Sequence, residues 1–172
     1  MPIDTKALAQ RLATIRVLVV DDEHYMRKVV RTMLMGLGVR DILEAPDGPN
    51  GLDLIRSAAP DVVILDWQMP GLDGNSFVRI VRSPDSFPYP DVPIIMLTGH
   101  GERSRVIEAV QIGVNEFLLK PVSSKALKER LIAVLANPRR IMRGDNYYGP
   151  APRNLDAVDD DDERIRNLFY VN

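Results

Sequence analysis

The apolar positions of this chain fall into short solid runs, separated by stretches in which they recur every third or fourth residue. Val17-Leu18-Val19-Val20, Val62-Val63-Ile64-Leu65 and Ile94-Ile95-Met96-Leu97 are unbroken, the pattern of strands buried on both faces of a parallel sheet. Ile42-Leu43-Glu44-Ala45 and Glu116-Phe117-Leu118-Leu119 are two further, less pure runs. Between them lie helical faces: Met26, Val29, Val30, Met33, Leu34 and Leu37, closed by Gly36 and Gly38; then Leu52 and Ile55, following the Asp47-Gly48 turn. Phe77, Ile80 and Val81 mark a third, Val106, Ala109, Val110 and Gly113 a fourth, and Leu127, Leu131, Val134 and Leu135 a fifth that Ser124 can cap. Five strands alternating with five helices predict an α/β fold with a doubly wound, five-stranded parallel sheet, and right-handed crossovers leave few topologies open.

Outside this core the pattern weakens. Residues 1–14 form an N-terminal lead, in which Leu8 and Leu12 allow a short amphipathic helix, and residues 15–136 form the domain. Ser83 to Pro93 contains four prolines and is expected to be an irregular surface loop. Residues 137–172, rich in Arg, Pro, Gly and Asp, are expected to be a C-terminal tail, mostly disordered when alone and too short for an output domain. Its end, Ile165, Leu168, Phe169 and Tyr170, could form one amphipathic turn after the acidic run Asp159 to Asp162.

Composition narrows the function. A formal net charge of −2 supplies no basic field for nucleic acid. The absence of cysteine removes disulfides, thiolate metal sites and a cysteine nucleophile. With no signal-like run and no segment long enough for a bilayer, a cytoplasmic protein with no membrane partner is expected.

The candidate chemistry sits where the strands end. The first strand delivers Asp21 and Asp22, the third Asp66, the fourth Thr98 and the fifth Lys120. In open α/β sheets the carboxyl edge is where ligands bind. Three clustered carboxylates repel one another unless a cation shares the site, and hard oxygen donors favour Mg2+. A divalent ion, an ammonium and a hydroxyl together suit the oxygens of a phosphoryl group, and Asp66, at the end of the central strand, is the carboxylate placed to attack phosphorus. Gln68, two residues after Asp66, and His100, two after Thr98, are candidates for tuning hydrolysis of the resulting acyl phosphate.

The stretches Val17-Leu18-Val19-Val20-Asp21-Asp22, Leu65-Asp66-Trp67-Gln68-Met69-Pro70-Gly71-Leu72-Asp73-Gly74, Met96-Leu97-Thr98-Gly99 and Phe117-Leu118-Leu119-Lys120-Pro121 resemble the CheY-like receiver domains of two-component response regulators, over about residues 15 to 136. That resemblance implies a flavodoxin-like, three-layer α/β/α fold. It implies that Asp66 accepts phosphate from a histidine kinase or a histidine phosphotransfer protein, and that the result is a switch in binding to a downstream protein. Asp22, Asp66 and the Gln68 carbonyl would bind Mg2+, with Asp21 acting through water. Thr98 and Lys120 would hold the phosphoryl oxygens, Phe117 would be the switch aromatic, and the Lys120-Pro121 bond would be cis. The phosphodonor is expected to dock beside the helix following Asp22, with Met26 as anchor and Arg27 at the rim. The rivals are an Asp-nucleophile phosphatase, which usually wants a second acid where Gln68 stands, and a scaffold that binds without phosphorylation. A dinucleotide or flavin site would need a phosphate loop where Asp21-Asp22-Glu23 stands.

Overall fold

The computed structural model describes residues 4–99 and 103–151, the side chains of 103 and 104 excepted. Its main sheet contains β1 (Arg16–Val20), β2 (Asp41–Ala45), β3 (Val62–Asp66), β4 (Ile94–Thr98) and β5 (Glu116–Leu119). All four pairings are parallel and the order is β2-β1-β3-β4-β5. The helices are α1 (Thr5–Thr14), α2 (His24–Gly36), α3 (Gly48–Ala58), α4 (Gly74–Val81), α5 (Arg103–Gln111) and α6 (Ser124–Ala136).

The solid apolar runs follow from the layering. Leu18, Val20, Val63, Leu65, Ile94, Met96 and Phe117 face the side covered by α3, α4 and α5, where they meet Ile55, Phe77, Val78, Val81 and Val106. The alternate residues Val17, Val19, Val62, Ile64, Ile95, Leu97 and Leu118 face α1, α2 and α6, where they meet Leu12, Val30, Leu34, Leu127 and Leu131. With helices on both faces, no polar position is needed along the three central strands. The N-terminal lead is a helix: Asp4 caps it through Lys6 N–H at 3.0 Å, and Leu12 is buried in the second layer of the core.

Four details differ from the sequence expectations. The cap of α6 is Ser123, whose hydroxyl accepts from Ala126 N–H at 3.1 Å; Ser124 is the first helical residue. On α4, Val78 takes a buried position and Ile80 faces outward, because the helix buries the narrow stripe Gly74, Phe77, Val78 and Val81. Arg27 is not at a rim. It turns inward, donating to the Asp21 carbonyl at 2.7 Å and approaching Glu44 at 3.7 Å.

The fourth difference is the segment after α6. Its first part is not a structureless tail: β6 (Ile141–Arg143) and β7 (Tyr148–Pro150) form an antiparallel hairpin. The hairpin packs so closely that a Cβ on Gly149 would stand 2.9 Å from the Gly113 Cα. Gly113 itself has φ +100°, and a side chain there would meet the Tyr148 carbonyl at 2.9 Å. Below this contact lies Arg82, only 6 % exposed. It donates to the carbonyls of Gly113, Pro90 and Val92 at 2.9, 2.6 and 2.8 Å, and to Asn115 Oδ1 at 2.8 Å. A buried cation of this kind is tolerable only when its nitrogens are hydrogen-bonded, and here all three are, through four acceptors. Burial lowers its pKa to about 10, so it stays charged at neutral pH. Arg139 donates to the carbonyls of Asn115 and Ala151, and the Tyr148 hydroxyl to Asp91, which ties the hairpin to the proline-rich loop. That loop is irregular, as expected, but Phe87 and Val92 anchor it in the core.

Candidate functional site

The strand order reverses direction between β1 and β3, since β2 lies on one side of β1 and all later strands on the other. A crevice opens at such a switch point above the carboxyl ends. Register decides which residues reach it. Val20 pairs with Leu65, Asp66 with Leu97, and Thr98 with Leu119, so each strand ends within one residue of its neighbour. The pairing continues one step further through Asp21 N–H to the Ala45 carbonyl (3.2 Å), Trp67 N–H to Leu97 (2.9 Å) and Lys120 N–H to Thr98 (2.8 Å). These bonds fix the backbone of Asp21, of Trp67 and of Lys120.

One ligand oxygen from each of Asp21, Asp22 and Asp66 can be chosen so that all three lie within 4.8 Å of one another. Asp21 and Asp66 are buried and Asp22 is exposed, so the cluster is a floor with one open side. Lys120 Nζ donates to Asp66 Oδ1 at 2.9 Å and stands 3.7 Å from Asp21 Oδ2. Thr98 is 1 % exposed beside them. The Lys120-Pro121 peptide is cis.

Burial pushes the Asp21 carboxyl up to about 6; its Glu23 N–H bond opposes this, and the neighbouring Asp66 charge adds to it. Burial likewise raises Asp66, against the Lys120 hydrogen bond and charge. For Lys120 burial works downward, but the bond to Asp66 and the charges of Asp66 and Asp21 outweigh it, so its pKa is raised. One lysine therefore does not neutralise the cluster. Asp21 Oδ2 is buried and receives no hydrogen bond, an acceptor left over for a cation or its water. The donor set, all carboxylate oxygen with one open side, fits a hard divalent ion.

The turn after Asp66 is held by Gly74. Its N–H bonds the Trp67 carbonyl at 2.9 Å, and a Cβ there would stand 2.9 Å from both the Asp66 carbonyl oxygen and the Trp67 Cα. Gly71, with φ +78°, makes the turn possible. Trp67 and Met69 are buried, whereas Gln68 is exposed. Trp67, Gln68, Met69, Pro70, Asp73 and Arg105 line a cleft of about 440 Å³ at the end of β3. Arg105 gave no signal in the sequence, because its place depends on how α5 lies against the β3–α4 turn. Phe117 is 1 % exposed, packed inward against the α5 side. His100 lies outside the described residues, as does the apolar cluster Ile165 to Tyr170.

A parallel sheet whose switch-point crevice gathers three carboxylates and a lysine defines a phosphoacceptor class of α/β protein. The comparisons agree: the chain belongs to the response regulator receiver domain family, which it matches over residues 17–132. The chemotaxis protein CheY1 of Helicobacter pylori is 40 % identical over 121 residues, spanning 70 % of this chain and 96 % of that protein. The chemotaxis protein CheY of Pseudomonas aeruginosa is 35 % identical over 116 residues, 67 % of this chain and 92 % of that protein. Among solved structures, CheY4 of Vibrio cholerae superposes with a TM-score of 0.65 at 33 % identity, covering 72 % of this chain and all of that one. A putative response regulator from Chloroflexus aurantiacus gives 0.66 at 31 %, covering 72 % and 98 %. The protein is a CheY-like phosphoacceptor of two-component signalling, not a turnover enzyme. Among the described residues no helix is long and apolar enough to cross a membrane.

Proposed function

We propose that Asp66 is the phosphoacceptor, that its donor is the phosphohistidine of a histidine kinase or histidine phosphotransfer protein, and that Mg2+ occupies the acidic cluster. The observation that carries this reading is the pairing of Lys120 Nζ with Asp66 Oδ1 at 2.9 Å inside a cluster of three carboxylates. An Asp66 oxygen forms its bond to phosphorus as the bond from phosphorus to the donor imidazole breaks, and the imidazole nitrogen recovers a proton. Lys120 and the Thr98 hydroxyl are placed to hold phosphoryl oxygens as charge shifts onto them. Asp22, Asp66 and the Gln68 carbonyl would hold the Mg2+, with Asp21 behind; the ion supplies positive charge to the phosphoryl oxygens. As Lys120 leaves Asp66 for the new phosphate, Thr98 follows, and Phe117, buried beneath the α5 side, is the group whose packing changes with it.

The donor docks at α2, which starts immediately beside Asp22 and exposes Tyr25 (73 %), with Met26 half-buried. Lys28 and Arg31, not Arg27, are its accessible cations. A downstream protein then reads the altered α5, β5 and α6 surface. Incubation with acetyl phosphate and Mg2+, read by intact mass, tests the core of the proposal: wild type gains one phosphoryl group, and Asp66→Asn gains none. Full labelling of Asp66→Asn, or labelling of wild type in excess EDTA, overturns it.

A further inference from the structure

The face of α2 that borders the acidic cluster is more apolar than a solvent face requires. Tyr25, Lys28, Val29, Thr32 and Met33 line a groove of about 350 Å³, open to solvent, in which Lys28 is the single charged residue. Tyr25, at its upper end, is 73 % exposed, an aromatic ring left in water with its apolar neighbours one and two turns below. α2 carries three cations, Arg27, Lys28 and Arg31, and no acid; Arg27 and Arg31 face Glu44 at 3.7 and 3.4 Å, so Lys28 is the cation the groove itself presents.

The same chain contains a segment with the complementary pattern. After Ala151, the last described residue, twenty-one residues remain. Asp156 and the run Asp159 to Glu163 supply six acids, and Ile165, Leu168 and Phe169 follow at the i, i+3, i+4 spacing of one helical face. The hairpin fixes where this segment starts. Ala151 N–H donates to the Arg140 carbonyl at 2.7 Å, and its own carbonyl accepts from Arg139 at 2.9 Å, which holds it beside Asn115 at the amino edge of β5. The fourteen steps from Ala151 to Ile165 reach up to about 46 Å. α6 packs against both β5 and α2, so the segment has one helix to round and can reach the groove.

We propose that residues 165–169 dock in the α2 groove, with Ile165, Leu168 and Phe169 against Tyr25, Val29 and Met33. The acidic run then lies beside Lys28. This is an apolar helix face in an apolar groove, with register supplied by charge. It covers the surface assigned above to the phosphodonor, so the chain carries its own competitor for that face. The docking itself does not depend on that assignment.

The chain has no cysteine, so Asn167→Cys gives a unique attachment point for a nitroxide label on the full-length protein. Amide signals of Tyr25 to Met33 should broaden in the labelled protein. Broadening should fall several-fold when Leu168→Asp and Phe169→Asp are added, and weaken in high salt. No broadening on α2, or broadening centred on another element, overturns the proposal. Transfer from a phosphohistidine donor then separates the two readings. If α2 broadens as stated and the double Asp variant takes up phosphate no faster than the unmutated chain, the tail site stands and the donor-docking assignment fails.

Discussion

Asp21 makes the metal-free protein pay for its own site, and the amount can be read as a pH dependence of stability. Its carboxyl is 1 % exposed and titrates at about 6, against about 3.9 for an unfolded aspartate. Below about pH 4 both folded and unfolded chains hold the proton, and nothing is lost. Between about pH 4 and pH 6 the unfolded chain ionises while the folded one keeps its proton, so stability falls as pH rises, by about 1.4 kcal/mol per unit at most. Above about pH 6 the loss levels off near about 3 kcal/mol. Asp21→Asn keeps an oxygen for the Glu23 N–H, which lies 2.9 Å from Asp21 Oδ1, but cannot ionise. Its stability gain over wild type in EDTA should therefore grow by about 2 kcal/mol between about pH 4.5 and about pH 7. Urea unfolding followed through Trp67, the single tryptophan of the chain, measures this. Adding Mg2+ at neutral pH should stabilise wild type and close much of the gap, because the ion favours the ionised form that burial disfavours. A wild-type-to-variant difference that is the same at both pH values would refute the reasoning, since a charge-burial cost cannot be independent of the charge.

Gly74→Ala should lower stability by about 1–3 kcal/mol despite the better helix propensity of alanine, because its Cβ would press on the Asp66 carbonyl and Trp67 Cα at 2.9 Å. An unchanged or raised midpoint in thermal unfolding would show that the turn can yield. Deleting residues 139–172 should cost more than about 2 kcal/mol by uncovering Arg82 and Gly113, whereas deleting 152–172 should leave stability within about 1 kcal/mol. Equal denaturant midpoints for the two truncations would mean that the hairpin contributes nothing to the fold. His100→Ala should alter decay of the phosphorylated protein and flatten its dependence between about pH 6 and pH 8, with phosphorylation itself intact. Superimposable decay curves would leave Gln68 as the remaining candidate.

The sheet was legible because helices cover both of its faces. Val62 to Leu65 could be read as a central strand before any contact was known, since only a strand buried on both sides tolerates four branched residues in a row. The site was legible for a related reason: register puts strand ends level, so residues that end apolar runs become neighbours without further information. Asp21, Asp66, Thr98 and Lys120 needed nothing else to be brought to one edge. What stayed hidden depends on tertiary geometry. Whether Ser123 or Ser124 caps α6 is a one-residue choice that the periodicity of Leu127 and Leu131 cannot make. Arg27 reads as a surface cation until the Asp21 carbonyl and Glu44 are seen on either side of it.

The hairpin shows where sequence periodicity stops being informative. Residues 137–151 have too few apolar positions to bury a core, and composition alone reads them as a tail. They are ordered instead by polar groups, for which the chain offers no spacing rule: Arg139 on the Asn115 and Ala151 carbonyls, the Tyr148 hydroxyl on Asp91, and Arg143 on Asp85. Arg139 thereby reaches Asn115, whose side chain takes Ile94 N–H at 2.9 Å and the Arg82 guanidinium, and so joins the first residue of β4 to the residue before β5. The opposite ends of the same two strands carry Thr98 and Lys120. The hairpin thus braces the amino edge of the strands whose carboxyl edge does the chemistry. A braced base holds the strand register on which the Asp66–Lys120 distance depends.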